Sequence, residues 1–151
     1  MMETIDSKKN KLTMQEVMIR SVYGQKDLYT VPVEQALLML VEELKMENAE
    51  AIQFGNTVFV THYSPESPTC FMYALNVDTA KNYINNGELY VRRLMQNGLK
   101  GFMTSYTTES FGAPFKQIEK NKLGQVHSYK QGKRFVTAVM FNQPKRKQEN
   151  V

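Results

Sequence analysis

The sequence predicts an α/β domain whose central sheet is mixed but mostly antiparallel and is flanked by helices. Three observations carry this reading. Val33, Leu37, Leu40, Val41 and Leu44 recur at helical spacing, with Glu34, Glu42, Glu43 and Lys45 off that stripe. Residues 57–63 and 69–77 are β-branched and aromatic runs joined by a short link, the pattern of two antiparallel strands. Residues 125–129 and 134–141 flank Lys130-Gln131-Gly132-Lys133, a turn between two hairpin strands.

The elements follow in order. Residues 12–23 (LTMQEVMIRSVY) mix apolar and polar positions and fit either a strand or a short helix. Thr30-Val31-Pro32 starts a helix over 33–47, because proline suits a first turn. Phe54-Gly55-Asn56 is a turn or the start of a strand. The strand over 57–63 ends at Ser64-Pro65-Glu66-Ser67-Pro68, a loop by its prolines, and 69–77 is the next strand. A helix then runs to about Asn97, with Ala80, Tyr83, Ile84, Gly87, Val91, Leu94 and Met95 as its apolar stripe and Gly98 as its stop. Residues 101–107 are a strand. Ser110 caps a short helix with Pro114 near its first turn and Leu123-Gly124 at its end. The hairpin closes the chain.

The chain has 151 residues, enough for one domain. It divides into an N-terminal tail over 1–20, a single α/β domain over 21–142 and a basic C-terminal tail over 143–151. The net charge of +4 is concentrated in part at the ends, in Lys8, Lys9 and Lys11 and in Lys145, Arg146 and Lys147. Such tails solvate a terminus or meet nucleic acid or an acidic partner. Nucleic acid is expected only through them, since aromatics do not interleave with a basic patch. No apolar run approaches the ~20 residues of a membrane helix. Residues 1–11 have no apolar signal-peptide core. The single cysteine, Cys70, excludes an internal disulfide framework and lies in an apolar run, as a buried hydrophobe does; the natural setting is a reducing compartment. His62 and His127 read as structural strand residues, and with Cys70 they have no metal-ligand spacing.

The stretch Asn82-Tyr83-Ile84-Asn85-Asn86-Gly87 raises the functional question. One reading is a helix, capped by Asp78 or Thr79, that tolerates a glycine costing about 1 kcal/mol and packs it against the sheet. The other comes from a resemblance. The order and lengths of the elements over 50–141 resemble the GNAT family of acyl-CoA-dependent N-acetyltransferases. In that family a Gln/Arg-x-x-Gly-x-Gly/Ala motif opens the long helix and its N–H groups hold the pyrophosphate of acetyl-CoA. Asn82, Asn85 and Gly87 stand at the three motif positions, so the string is an altered copy at the right spacing.

The resemblance implies acetyl-CoA as cofactor only if Asn82, Asn85, Asn86 and Gly87 still bind it, with the backbone over 75–77 pairing with the pantetheine arm. The family's acid tyrosine is absent from Ser110-Phe111-Gly112-Ala113-Pro114-Phe115, and Tyr106 is the stand-in. Glu66, Glu109 and His62 are the candidate bases. The altered motifs favour a non-catalytic GNAT-like protein without a cofactor. It is similar to components encoded beside virion genes of tailed bacteriophages and binds neighbouring subunits, in a virion or in the host cytoplasm. The alternative is an acetyl-CoA-dependent N-acyltransferase with an atypical phosphate loop.

Overall fold

A computed structural model describes residues 11–142. The two basic tails expected at the ends lie outside the described residues, apart from Lys11 and its neighbours. The elements are α1 (Met14–Gly24), a 3-10 turn (Lys26–Leu28), α2 (Val33–Leu44), β1 (Ala49–Phe54), β2 (Thr57–Tyr63), β3 (Thr69–Asn76), α3 (Ala80–Gln96), β4 (Gly101–Tyr106), a second 3-10 turn (Glu109–Gly112), α4 (Ala113–Lys120), β5 (Gly124–Gln131) and β6 (Arg134–Phe141).

The strands form one six-stranded sheet in the order β1-β2-β3-β4-β6-β5. All neighbours are antiparallel except β3 and β4, which α3 connects in parallel. The mixed, mostly antiparallel sheet with flanking helices is therefore the architecture the sequence predicts.

Both faces of the sheet are covered, which follows from the period-2 alternation of its strands. On one face, Val58, Val60 and Leu75 pack with Val17 and Val22 of α1 and Ala36 and Leu40 of α2. On the other, Phe59, Met72, Phe102 and Val139 pack with Tyr90, Val91 and Leu94 of α3 and Phe115 and Ile118 of α4. Phe59 and Tyr90 stack with centroids 4.3 Å apart. The Tyr90 hydroxyl shares a hydrogen bond of 2.6 Å with Thr61, so the polar tip of this buried ring is satisfied.

Several boundaries differ from the sequence reading: Ser110, expected to cap the short helix, lies inside the second 3-10 turn, and α4 starts after Gly112. Three others bear more on the fold. The segment read as a tail over 1–20 includes most of α1, whose Val17 is fully buried. The cause is a capping box: Thr13 accepts from the Glu16 N–H at 3.1 Å, and the Glu16 carboxylate accepts from the Thr13 N–H at 2.8 Å. Residues 49–54, of which the sequence reading covers only Phe54, as a turn or the start of a strand, are strand β1. Glu50 and Gln53 mask it, but Ile52 is buried on the α3 side and Ala51 packs on the other. Helix α2 ends at Leu44, where the chain turns at Lys45, and not at Glu47.

Candidate functional site

The sheet opens between β3 and β4. Their ladder covers only Thr69↔Gly101, Cys70↔Phe102 and Phe71↔Met103. Beyond it β3 stays with β2 as far as Asn76 and β4 stays with β6 as far as Tyr106. Each strand follows its hairpin partner, so twist drives the two halves apart. The result is a cleft of about 510 Å³ walled by 72–75 on one side and 104–107 on the other. Tyr29, Val31 and Leu40 line it from the α1–α2 side, and Tyr83, Phe111 and Phe115 from the α3–α4 side.

The ladder fixes which backbone groups face this cleft. Val77 N–H donates to Asn56 O at 3.1 Å. Bonded residues alternate in an antiparallel pair, so Tyr73 and Leu75 also bond β2, and Ala74 turns its N–H and C=O the other way. Phe141 N–H donates to Lys100 O at 2.9 Å, which by the same alternation commits Thr104 and Tyr106 to β6 and turns Ser105 towards β3. The β3–β4 ladder has ended before Ala74 and Ser105. Their amide groups meet the cleft.

Polar side chains converge at the cleft. Glu43 of α2 accepts from the Tyr73 hydroxyl at 2.6 Å through one oxygen, and its other oxygen lies 2.5 Å from His62 Nε2. Arg134 Nε donates to Ser105 Oγ at 2.6 Å. Tyr83 donates to Phe111 O at 2.8 Å. Burial, and then the Glu43 carboxylate, push the Tyr73 hydroxyl well above its ordinary pKa, and burial does the same to Tyr83. Both hold their protons at neutral pH. The Glu43–Tyr73–His62 cluster has no signature in the sequence, because its members are separated by 19 and 30 residues and join only when α2 lies across β2 and β3.

The start of α3 does not have the geometry of a phosphate loop. Helix α3 runs unbroken from Ala80 to Gln96, and Asn85, Asn86 and Gly87 lie in its interior. Their N–H groups bond back along the helix and do not face a ligand. The stretch Asn82-Tyr83-Ile84-Asn85-Asn86-Gly87 is thus part of one continuous helix, as the capped-helix reading expects, and not an open loop. Thr79 caps the helix by accepting from the Asn82 N–H at 3.3 Å. The Asp78 carboxylate accepts from the Asn56 N–H at 2.8 Å, from Asn86 Nδ2 at 2.9 Å and from Asn82 Nδ2 at 3.4 Å. Asn86 is buried and also donates to Thr57 at 3.0 Å. Gly55, at φ +57°, brings the β1–β2 turn against the same carboxylate. Thr79 thus takes the Asn82 N–H, and the Asp78 carboxylate one residue before it, held by the Asn56 N–H and two side-chain amides, repels a second anion at the helix start. The residues present do not fit the diphosphate of acetyl-CoA.

The remaining sequence candidates divide. Tyr106 lines the cleft, but its hydroxyl shares a hydrogen bond of 3.0 Å with Thr137 and its ring stacks on Phe135. Glu66 is exposed in the β2–β3 turn and Glu109 is exposed in the 3-10 turn after β4; neither lines the cleft. His62 is a hydrogen-bonded strand residue as expected, whereas His127 lies on an exposed part of β5. Cys70 is buried and its thiol is pushed up to about 11 by burial. Among the described residues no group of three or more His, Cys, Asp or Glu side chains is placed to hold a metal ion, and no helix is long and apolar enough to cross a membrane.

Comparison with protein-family models and with curated protein sequences finds no match for this chain.

Proposed function

We propose that this chain is a non-catalytic, GNAT-like protein that works by binding neighbouring protein subunits of an assembly, such as the particle of a tailed bacteriophage. The single observation that supports it best is Asp78. A carboxylate held by three donors at the start of α3 is a stable structural element and a poor host for a diphosphate. The reading requires no cofactor and places the protein in the virion or in the host cytoplasm. Contacts with nucleic acid enter only through the basic tails.

A second reading, an acetyl-CoA-dependent N-acyltransferase, is favoured by one feature, the cleft between β3 and β4. Asn82, Asn85, Asn86 and Gly87 are its cofactor residues and Tyr106 its acid. It requires α3 to unwind at Asn85 and Asp78 to leave its donors.

The test is to purify particles from the source lysate and quantify the chain by mass spectrometry. The proposed role predicts a fixed copy number per particle that survives salt washing. Recovery only as free protein would sink it.

A further inference from the structure

The cleft has a property that the assembly reading does not use. It presents two parallel strand edges, Ala74 on β3 and Ser105 on β4, which stay paired with β2 and β6 but turn their own backbone groups into a gap with apolar walls, past the end of the β3–β4 ladder. Backbone donors and acceptors in an apolar setting require partners. An extended polypeptide supplies them in the right alternation, about one residue per 3.3 Å of strand. We infer that the cleft receives an extended segment of a partner protein as an added strand between β3 and β4. The inference rests on the proposed binding role and names the form its partner takes at this site.

Charge says what that segment carries. Met39 and Glu43 line the cleft and also a shallow groove outside it, with Leu38, Glu42 and Met46. Leu38, Met39 and Met46 are each more than half exposed, at 66%, 57% and 59%. The groove is apolar and acidic; Lys45, an exposed side chain, lies 3.3 Å from Glu42, and the cation that lines the cleft, Arg134, is on the opposite side at Ser105. The complementary segment therefore alternates apolar residues where it lies as a strand and carries Lys or Arg where it leaves across α2. A second copy of this chain or its own tail, as occupant, is distinguished by the assay below.

The experiment uses the full chain and a series of eight-residue peptides that alternate Val, Leu or Phe with Thr and end in Lys-Lys. Binding is followed by fluorescence anisotropy and by amide hydrogen exchange. The expected result is saturable binding that weakens with salt and slows exchange at Ala74 and Ser105. Methylating alternate peptide nitrogens keeps every side chain but removes donors, and weakens binding about tenfold or more, as loss of backbone bonds requires. Ala74→Pro, which removes an N–H turned to the cleft and takes none of the N–H groups bonded to β2, has the same effect, and the methylated peptides keep the test valid if its fixed φ keeps that variant from folding. Absence of binding across the series, binding unaffected by methylation, or binding without protection at Ala74 and Ser105 overturns the proposal. So does protection of both amides in the peptide-free chain, whether concentration-dependent (a second copy) or not (the chain's own tail). Acetyl-CoA is titrated separately: its binding would overturn the non-catalytic reading, whereas the peptide result decides the added strand.

Discussion

Asn86 reaches back from the second turn of α3 to Asp78, with its amide nitrogen 2.9 Å from the carboxylate, and the same nitrogen donates to Thr57 of β2 at 3.0 Å. One buried side chain thus ties the helix, its own N-terminus and the sheet together. Asn86→Ala removes both donors and is expected to cost about 1–3 kcal/mol. Asn86→Asp sets a second carboxylate against Asp78 and should be more harmful at neutral pH than at acid pH, where protonation relieves the repulsion. Urea denaturation of both variants checks this. A loss below about 0.5 kcal/mol for Asn86→Ala would show that the tie is not a structural element.

Gly87 has a packing reason. A Cβ built on it lies 2.7 Å from Pro114 Cβ of α4, too close for any side chain. Gly87→Ala gains about 1 kcal/mol in helix propensity but must push α4 away, and a net loss of about 1–3 kcal/mol is expected. Gly24 in the last turn of α1 meets nothing within 4 Å. Gly24→Ala is therefore the control and should stabilise by up to about 1 kcal/mol. Thermal melts of the two variants should move in opposite directions.

Glu88 joins α3 to α4 and sets a pH dependence. Its carboxylate accepts from Arg92 at 2.8 and 3.0 Å, from Gln117 at 2.7 Å and from Asn121 at 2.8 Å. Chiefly the Arg92 hydrogen bonds hold it below the ordinary carboxylate range, against a smaller effect of burial. The folded pKa is the lower one, so the stabilisation is complete above the unfolded value of about 4.3 and is lost as pH falls through the folded value. Glu88→Gln should cost about 1 kcal/mol at pH 7, and the gap to the parent should close as the pH falls below about 4. A gap that stays constant from neutral to acid pH would contradict this.

Much of the fold is legible in the sequence, and the reasons are local. β2 and β3 announce themselves by β-branched and aromatic runs, α2 by its stripe and α4 by Pro114 in its first turn. β1 is not legible, because it sits at the sheet edge and Glu50 and Gln53 break its pattern. The site is legible only in part. Asn85-Asn86-Gly87 looks like a break because glycine and asparagine are weak helix formers, and what overrides propensity there is tertiary: Pro114 fills the space at Gly87, and Thr57 and Asp78 hold Asn86. The parting of β3 from β4 and the Glu43–Tyr73–His62 cluster depend on pairings across 19 to 32 residues, which periodicity does not carry.

The central claim is that Asp78 and Thr79 close the start of α3 to phosphate. Isothermal titration of the purified chain with acetyl-CoA at low salt tests it directly. The account predicts no heat of binding up to millimolar ligand, and no gain of binding in Gly87→Ala. Micromolar binding that disappears in Gly87→Ala would contradict it, because Asn85-Asn86-Gly87 would then be a working phosphate loop.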